Sequence, residues 1–144
     1  MKKLCLKCYN VYDYNVKLQI CGNYMFCPSA CCIGNVVEID DNIIDVIILL
    51  NQKGYKTEYC CSGHTYDISR PRIYIKFIYP YKLDDLPNDF NYKDKTLEYF
   101  IDNILSGLDY RILLNKANIN LCKWVKNLKD CREFDDFQHI NLTE

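Results

Sequence analysis

The longest apolar segment of the chain predicts a buried helix. It is IIDVIILLNQK, residues 43–53, in which one acidic residue interrupts a run of branched aliphatic side chains. Asp40 or Asp41 can cap the N-terminus of this helix, and Gly54 can end it. Because aliphatic side chains surround almost the whole helix, we expect it to be buried on more than one side.

Alternation of apolar and polar residues predicts the strands. A short strand at residues 36–39 precedes the helix, and a second covers residues 55–61. One face of the second strand is predicted to carry Tyr55, Thr57, Tyr59 and Cys61. The strongest alternation lies in RIYIKFIY, and it directs four large side chains to one side, namely Ile73, Ile75, Phe77 and Tyr79. The segment that follows, PYKLDDLPNDF, is predicted to be a loop.

Two periodic stretches near the C-terminus predict amphipathic helices. In the first, residues 97–108, apolar residues recur at helical spacing and Gly107 lies at the predicted C-terminal end. In the second, residues 117–128, an apolar stripe lies opposite a set of lysines, namely Lys116, Lys123 and Lys126. Residues 111–114, between the two helices, are predicted to form a further strand.

The start of the chain differs from the rest, because about 35 residues there show no helical period and are organised by cysteines and glycines. We therefore predict an α+β fold in which a zinc-ribbon-like module, residues 1–38, precedes a small mixed α/β domain, residues 39–144. The second domain is predicted to contain one buried helix, two or three strands and two amphipathic helices.

Composition narrows the class of protein. The 144-residue chain has a formal net charge of −1, which argues against a globally basic nucleic-acid binder. Its N-terminus lacks the apolar run of a signal peptide, and no uninterrupted apolar segment reaches the roughly 18 residues that span a bilayer. We therefore expect a cytoplasmic protein without membrane association. In that compartment its 10 cysteines should be thiols or metal ligands rather than disulfides.

Two close groups of cysteines near the N-terminus predict a zinc site. Two residues separate Cys5 from Cys8, and a second group begins at Cys27, 19 residues after Cys8. Tetrahedral Zn²⁺ takes four sulfur ligands at about 2.3 Å, and a two-residue spacing lets a tight turn aim both sulfurs at one point. A segment with so few apolar side chains cannot fold by burial alone, whereas zinc binding contributes about 10–16 kcal/mol in small peptide modules. We therefore predict one structural Zn²⁺ ion.

The fourth zinc ligand is either Cys31 or Cys32. We favour Cys32, because Gly34 follows it at a position where a metal-binding turn often needs a positive φ. Cys21, which precedes Gly22, is a competing ligand. The preferred ligands are Cys5, Cys8, Cys27 and Cys32. The alternative to a metal site is a group of buried free thiols.

The segment YKTEYCCSGH, residues 55–64, places two cysteines and a histidine at the predicted end of a strand. Cys61 and His64 are candidates for a catalytic thiolate and its activating imidazole. The turn can also cradle a phosphate or carboxylate, and its candidate ligand-binding residues are Thr57, Cys60, Ser62 and Gly63. A second metal site would combine the cysteines and His64 with His139 or Cys131. A purely structural strand end is the alternative.

This segment carries two resemblances. The pattern T-x-x-C-C-S-G-H at residues 57–64 resembles one in small uncharacterised bacterial and phage proteins. Some of those proteins also begin with a zinc-ribbon-like segment that closes in C-P…C-x-G…V-E-I-D, as residues 27–40 do here. The turn Cys61-Ser62-Gly63 is also similar to the S-C-S-G-R motif of the wybutosine-synthesising tRNA methyltransferase family, with His64 in place of the arginine. The second resemblance implies a nucleotide-like or S-adenosylmethionine-like ligand at the turn.

These observations predict a small zinc-binding protein whose turn at residues 60–64 binds a ligand related to a nucleotide or a nucleic acid. The alternative is a non-enzymatic interaction protein, such as a phage-type modulator of a host nucleoprotein complex. That protein would contact its partner through the zinc module, where Tyr24 and Phe26 can stack on bases, and through the C-terminal lysines, including Lys129. A structural protein with two metal ions is a further alternative. Trp124 is predicted to belong to the core.

Overall fold

The computed structural model describes residues 1–29, 32–63, 72–101 and 107–131, except for the side chains of residues 107 and 108. The described residues form two sheets and two α-helices, which is an α+β fold. The chain divides into two compact units, Met1–Ile44 and Asp45–Glu144. Within the described part of the chain, no helix combines the length and the apolar character that crossing a bilayer requires.

The first unit is built on a five-stranded antiparallel sheet. Its strands are β1 (Lys2–Cys5), β2 (Val11–Asp13), β3 (Ile20–Cys21), β4 (Tyr24–Phe26) and β5 (Asn35–Ile39). They lie in the order β2-β1-β5-β4-β3, and a 3-10 helix, Asp41–Ile43, follows β5. The strand predicted at residues 36–39 is therefore confirmed as β5 and lies at the centre of the sheet.

Cysteines supply much of the buried interior of the first unit. Cys5, Cys27 and Cys32 form a cluster with Val36. Three partly buried side chains pack against this cluster, namely Tyr12, Leu18 and Met25. A unit of this size buries little apolar surface on folding, so units of about 40 residues or fewer usually need a disulfide, a metal ion or a partner chain for stability.

The second unit combines helices with a four-stranded antiparallel sheet. Its strands are β6 (Thr57–Cys61), β7 (Arg72–Phe77), β8 (Asn91–Lys93) and β9 (Thr96–Phe100), in the order β6-β7-β9-β8. Helix α1 (Ile44–Gln52) begins at the boundary between the units, and α2 (Gly107–Asn127) follows the sheet in sequence. The core includes Ile73, Ile75 and Phe77 of β7, as the alternation predicted.

Helix α1 confirms the helix predicted at residues 43–53. Val46, Ile47 and Leu50 are fully buried on it, and Ile48 is half-buried. Gly54 follows the helix with a φ of 95°, a left-handed conformation that glycine adopts without steric cost. The end of the helix was therefore readable from the glycine.

The helix predicted at residues 97–108 is wrong in its first half, where the chain forms a β-hairpin. Strands β8 and β9 pair with Lys93 opposite Thr96, and Asp94 and Lys95 form the two-residue loop. Both loop residues have positive φ, 52° and 64°, which is the conformation of the tight turns that match the twist of paired strands. Pairing of β9 with the central strand β7 outweighs the helical spacing of the apolar residues.

Residues 111–114 belong to α2, so the strand predicted there is also wrong. Gly107 is the first residue of this helix, and residues 102–106 of the helix predicted at 97–108 lie outside the described residues. The buried side chains recur at helical spacing along it, namely Tyr110, Leu114, Ala117, Leu121 and Val125. Residues 111–114 taken alone fit a strand, but the buried stripe from Tyr110 to Val125 fits only a helix.

Strand β6 departs from the predicted alternation. A bulge between Thr57 and Tyr59 shifts the register, so Thr57 is buried whereas Tyr59 is 60% exposed. Tyr55 precedes the strand and is buried. The neighbouring strand β7 stops at Phe77, which lies opposite Thr57, and Tyr79 is exposed rather than part of the buried face.

The C-terminal end of α2 is held by residues that follow α1. The ammonium group of Lys53 donates to the carbonyl oxygens of Val125 and Leu128, at 2.8 and 2.6 Å, and also to that of Lys126. The Tyr55 hydroxyl donates to the carbonyl oxygen of Lys129 at 2.9 Å. The last carbonyl groups of a helix have no partners within it, so these bonds cap the helix and join it to the α1–β6 connection.

Candidate metal centre

The strand register brings the two cysteine groups to the same end of the first sheet. Cys5 ends β1 and lies opposite Val36 of β5. Cys27 follows β4, whose last residue, Phe26, pairs with Asn35 of β5. Both groups therefore flank the start of β5, which Cys32 precedes by three residues. Residues far apart in sequence meet because β5 pairs with β1 on one side and β4 on the other.

The four sulfur atoms of Cys5, Cys8, Cys27 and Cys32 all lie within 4.8 Å of one another. The Sγ atoms of Cys5 and Cys32 are 3.7 Å apart, and those of Cys8 and Cys27 are 3.6 Å apart. These distances are far longer than the roughly 2.05 Å of a disulfide, so the cysteines are free. Zn–S bonds of about 2.3 Å in a tetrahedron place sulfurs about 3.8 Å apart. The arrangement therefore fits a tetrahedral metal ion.

Backbone amides support the sulfur of Cys5. The N–H groups of Lys7 and Cys8 both donate to Cys5 Sγ at 3.4 Å. Tyr9 has a φ of 63°, and its N–H donates to the carbonyl oxygen of Cys5, which closes the turn. Such bonds stabilise a thiolate, because they are charge-assisted when the sulfur is ionised.

The second turn of the site depends on Ile33 and Gly34. The positive φ predicted for Gly34 belongs instead to Ile33, at 43°, so that prediction is wrong in its reason. Gly34 is needed for space, because a β-carbon there would lie 2.7 Å from Sγ of Cys5 and 2.6 Å from the Cβ atom of Lys7. The Gly34 carbonyl also accepts from the N–H of Cys27 at 2.9 Å, which joins both sides of the site.

The environment separates the pKa values of the cysteines. Burial raises the pKa of Cys5 to about 12 and also raises the pKa of Cys32. Burial raises the pKa of Cys27 as well, but hydrogen bonds from the Tyr12 hydroxyl and from the Ser29 backbone outweigh it and lower this pKa to about 6. Cys27 therefore ionises before Cys5 and Cys32 in the absence of a metal.

Tyr12 is a residue of this site that the sequence did not reveal. Its hydroxyl oxygen lies 3.1 Å from Cys27 Sγ and 3.1 Å from the hydroxyl oxygen of Ser29, which accepts from Asn10 at 2.8 Å. Outer partners of this kind orient metal ligands and tune their basicity. No spacing rule links Tyr12 to Cys27; only the pairing of β2 with β1 brings it close.

The alternatives for the ligand set have different outcomes. Cys21 lies in β3, is exposed and is not part of the cluster, so it does not compete with the preferred ligands. Cys31 lies outside the described residues, whereas Cys32 belongs to the cluster.

Lys7 contributes to the surroundings of the cysteine cluster. Its ammonium group donates to the carbonyl oxygen of Cys32 at 3.1 Å and so brings a positive charge close to the sulfurs.

Two of the candidate residues, Thr57 at the start of β6 and Gly63 in the turn after it, have structural roles. The side-chain amide of Asn51 donates to the hydroxyl oxygen of buried Thr57 at 3.0 Å, and the Thr57 N–H donates back to Asn51 at 3.3 Å. Gly63 has a φ of 80°, and a β-carbon there would lie 2.7 Å from Leu114 of α2. Thr57 thus ties β6 to α1, and Gly63 permits a close approach to α2.

The other candidate residues near this turn are two partly exposed cysteines and a buried serine. Cys60 and Cys61 are partly exposed, and Ser62 is buried. Asn118 of α2 directs its amide nitrogen to the carbonyl oxygen of Ser62 at 3.5 Å. Its amide oxygen is buried and has no hydrogen-bond partner within the part of the chain that the structure describes. A donor from a water molecule or a ligand would satisfy this oxygen.

The histidines of the sequence predictions, His64 and His139, lie outside the described residues. Cys131, the other candidate for a second metal site, is buried, and its N–H donates to the carbonyl oxygen of Lys53 at 2.7 Å. Among residues 1–29, 32–63, 72–101 and 107–131, the four-cysteine cluster is the single group of three or more potential ligands close enough to hold a metal ion.

The sequence and the fold were also compared with known proteins. No protein-family model, curated protein or solved structure matches the chain. The cysteine cluster and its surroundings therefore carry the functional interpretation, and the resemblances of the turn at residues 57–64 stay predictions.

Proposed function

We propose that this protein binds one structural Zn²⁺ ion through Cys5, Cys8, Cys27 and Cys32, and that the ion folds the first unit as a zinc-ribbon-like module. The observation that carries the proposal is the approach of four sulfurs from two separate turns to within 4.8 Å of one another. The surrounding sheet is small, because its strands contain only two to five residues and its buried aliphatic side chains are Leu4, Val36 and Ile39.

Two chemical arguments favour zinc and a structural role. Four sulfur ligands in a tetrahedron suit zinc or iron, and zinc is the common choice for structural sites formed by two short-spaced cysteine pairs. A site closed by four protein ligands leaves no open position for a water molecule or a substrate. The ion would therefore stabilise the fold and supply no catalysis.

Elemental analysis of the purified protein tests this proposal. We expect one zinc per chain, with a loss of most of the metal in Cys32→Ser. Cys21→Ser is the matched control, because Cys21 is exposed and outside the cluster, and it should retain the metal. One iron per chain would contradict the choice of metal, two metals per chain would favour the two-metal alternative, and a metal-free protein would contradict the site.

A second candidate function is ligand binding at residues 60–64. The observation that favours it is the buried amide oxygen of Asn118, which lacks a donor close to the Ser62 carbonyl. The resemblance to the wybutosine-synthesising methyltransferases makes S-adenosylmethionine the appropriate probe. Cys61→Ala and His64→Ala should abolish a thermal shift caused by this probe, whereas Cys122→Ala should retain it. A shift that persists in both turn variants would contradict the candidate.

Charge gives less support to contact with nucleic acid through the first unit. That unit carries four acidic residues and four lysines, namely Asp13, Glu38, Asp40, Asp41, Lys2, Lys3, Lys7 and Lys17. Four thiolates around Zn²⁺ would add a net charge of about −2. Nucleic-acid binding depends on a positive surface that neutralises phosphates, and this unit has no excess of positive charge. If the chain is a non-enzymatic interaction protein, the charge of the first unit therefore favours a protein partner over a nucleic acid.

A further inference from the structure

A cavity of about 410 Å³ lies in the second unit. Its walls are the loop at residues 82–88 and the C-terminal part of α2 with the residues after it, up to Lys129, together with Tyr55. The volume is within the range of about 300–1,000 Å³ that small-molecule sites occupy. No lining residue belongs to the cysteine cluster or to the turn after β6, so the cavity is a separate site.

Hydrogen bonds hold both walls of the cavity in place. The indole nitrogen of Trp124 donates to the carbonyl oxygen of Asp85 at 2.7 Å and so joins α2 to the loop. Lys53 and Tyr55 fix the end of α2 through its carbonyl groups. Because the walls are tied by groups that do not need a ligand, the cavity is formed before anything binds.

One face of α2 supplies a varied set of chemical groups to the cavity. Its residues have the spacing i, i+3, i+4 and i+7, and they are Asn120, Lys123, Trp124 and Asn127. The sequence predicted Trp124 to belong to the core, but its side chain is only half-buried. In the described part of the chain, the ammonium group of Lys123 forms no ion pair, whereas Lys82 lies 3.9 Å from Asp84.

The opposite wall restricts the class of ligand. Asp84 and Asp85 lie beside the lysines, so a ligand that is anionic all over its surface would meet like charges. A ligand with hydroxyl groups for the carboxylates and one anionic group for an ammonium is complementary to both. Asn88 adds a third side-chain amide to those of Asn120 and Asn127. Together with the indole, these amides suit a flat heteroaromatic ring that has hydrogen-bond donors and acceptors at its edge.

We propose that this cavity binds a nucleoside monophosphate. The base would stack on the indole of Trp124 and bond to the asparagine amides, the ribose hydroxyls would donate to Asp84, and the phosphate would lie at Lys123. This assignment uses each class of polar group in the lining. It does not depend on the zinc site or on the turn after β6, so failure of either of those proposals leaves it unchanged.

Trp124 makes the proposal directly measurable, because it is the single tryptophan of the chain and lines the cavity. The full-length, metal-loaded protein is titrated with each of the four common ribonucleoside monophosphates while tryptophan fluorescence is recorded. We expect a saturable change with at least one of them. The corresponding nucleoside and ribose 5-phosphate should each bind at least about tenfold more weakly, since each lacks one of the recognised parts.

A pair of lysine variants tests the role of the phosphate. Lys123→Gln should weaken binding of the nucleotide about tenfold and leave binding of the nucleoside unchanged. Lys126→Gln is the matched control, because Lys126 is exposed on the same helix and does not line the cavity, so the affinity should be retained.

Four results would overturn the proposal. They are the absence of a saturable change with any nucleotide at millimolar concentration, equal losses in the two lysine variants, equal binding of the nucleoside, and tighter binding of a single-stranded oligonucleotide than of every mononucleotide. A metal content and helical content equal to those of the parent protein show that the variants are folded.

Discussion

Gly34 occupies the tightest position around the cysteine cluster. A β-carbon there would approach Sγ of Cys5 to 2.7 Å and the Cβ atom of Lys7 to 2.6 Å, which is closer than real contacts allow. Gly34→Ala should therefore displace a ligand and lower the affinity for the metal by about tenfold or more. Competition with a chromophoric chelator measures this affinity.

Gly22 provides the control for that substitution. It has a φ of +62°, and a β-carbon there would meet no atom within 4 Å. Gly22→Ala should cost about 1–2 kcal/mol of backbone strain while metal affinity is retained. Equal losses of affinity in the two variants would show that close packing at Gly34 does not govern the site.

At the level of single residues, the sequence predicted the cysteine ligands more reliably than the residues that surround and orient them. The spacing Cys5-x-x-Cys8 follows from the geometry of turns, which is local in sequence. Cys32 was preferred because of a positive φ expected at Gly34, but that conformation belongs to Ile33. The space restriction at Gly34 and the proximity of Tyr12 to Cys27 depend on how four strands pair, which the spacing does not encode. The prediction that Trp124 belongs to the core was wrong for the same reason, since its indole bonds to a loop residue 39 positions away in the sequence.

Among the elements, α2 depends on Lys53 for its C-terminal cap. In Lys53→Met the aliphatic part of the side chain remains, but three carbonyl groups lose their charged donor. We expect the free energy of unfolding of the second unit to fall by about 1.5–3 kcal/mol. Urea unfolding followed by Trp124 fluorescence measures the change.

The matched variant for this element is Lys56→Met, since Lys56 lies nearby in sequence with an exposed side chain. It should change the free energy of unfolding by no more than about 0.5 kcal/mol. If both lysine variants unfold at the same urea concentration, the carbonyl contacts of Lys53 do not stabilise α2.

The elements that were predicted correctly have strong signals of their own. Helix α1 has an aliphatic run with a glycine at its end, and β7 has six residues of alternation. The hairpin β8–β9 was missed because its turn, Asp94-Lys95, has none of the glycine or asparagine that usually marks such turns. Its strands also contain leucine and phenylalanine at spacings that a helix would use as well, and pairing with β7 decides between the two.

At the scale of the whole molecule, stability at high pH depends on Tyr55. Burial raises the pKa of Tyr55 to about 12, whereas an exposed tyrosine ionises near pH 10. The stabilisation is complete below about pH 10 and is lost as the pH rises through about 12, because the unfolded chain releases its proton first. We expect a loss of roughly 3 kcal/mol over this range.

Tyr55→Phe supplies the comparison for that prediction. The variant should lack this part of the pH dependence. The difference in unfolding free energy between the two proteins should therefore shrink as the pH is raised from about 9 to about 12. A difference that stays constant over the range would contradict an ionisation of Tyr55 as the cause.

The two units differ in what holds them together. The second unit buries large aliphatic and aromatic side chains on β7, β9 and α2, including Phe77, Leu97 and Tyr110. The first unit has a cluster in which three of four buried residues are cysteines. Loss of the metal should therefore unfold the first unit and leave the core of the second unit intact.

Amide hydrogen exchange of the full-length protein, before and after removal of the metal by a chelator, tests the central claim most directly. The claim is that an ion bound by Cys5, Cys8, Cys27 and Cys32 maintains the fold of residues 1–44. After chelation, amides of β1, β4 and β5 should lose protection, while those of β7 and α2 keep it. Unchanged protection of β1, β4 and β5 in protein shown to be free of metal would contradict the account.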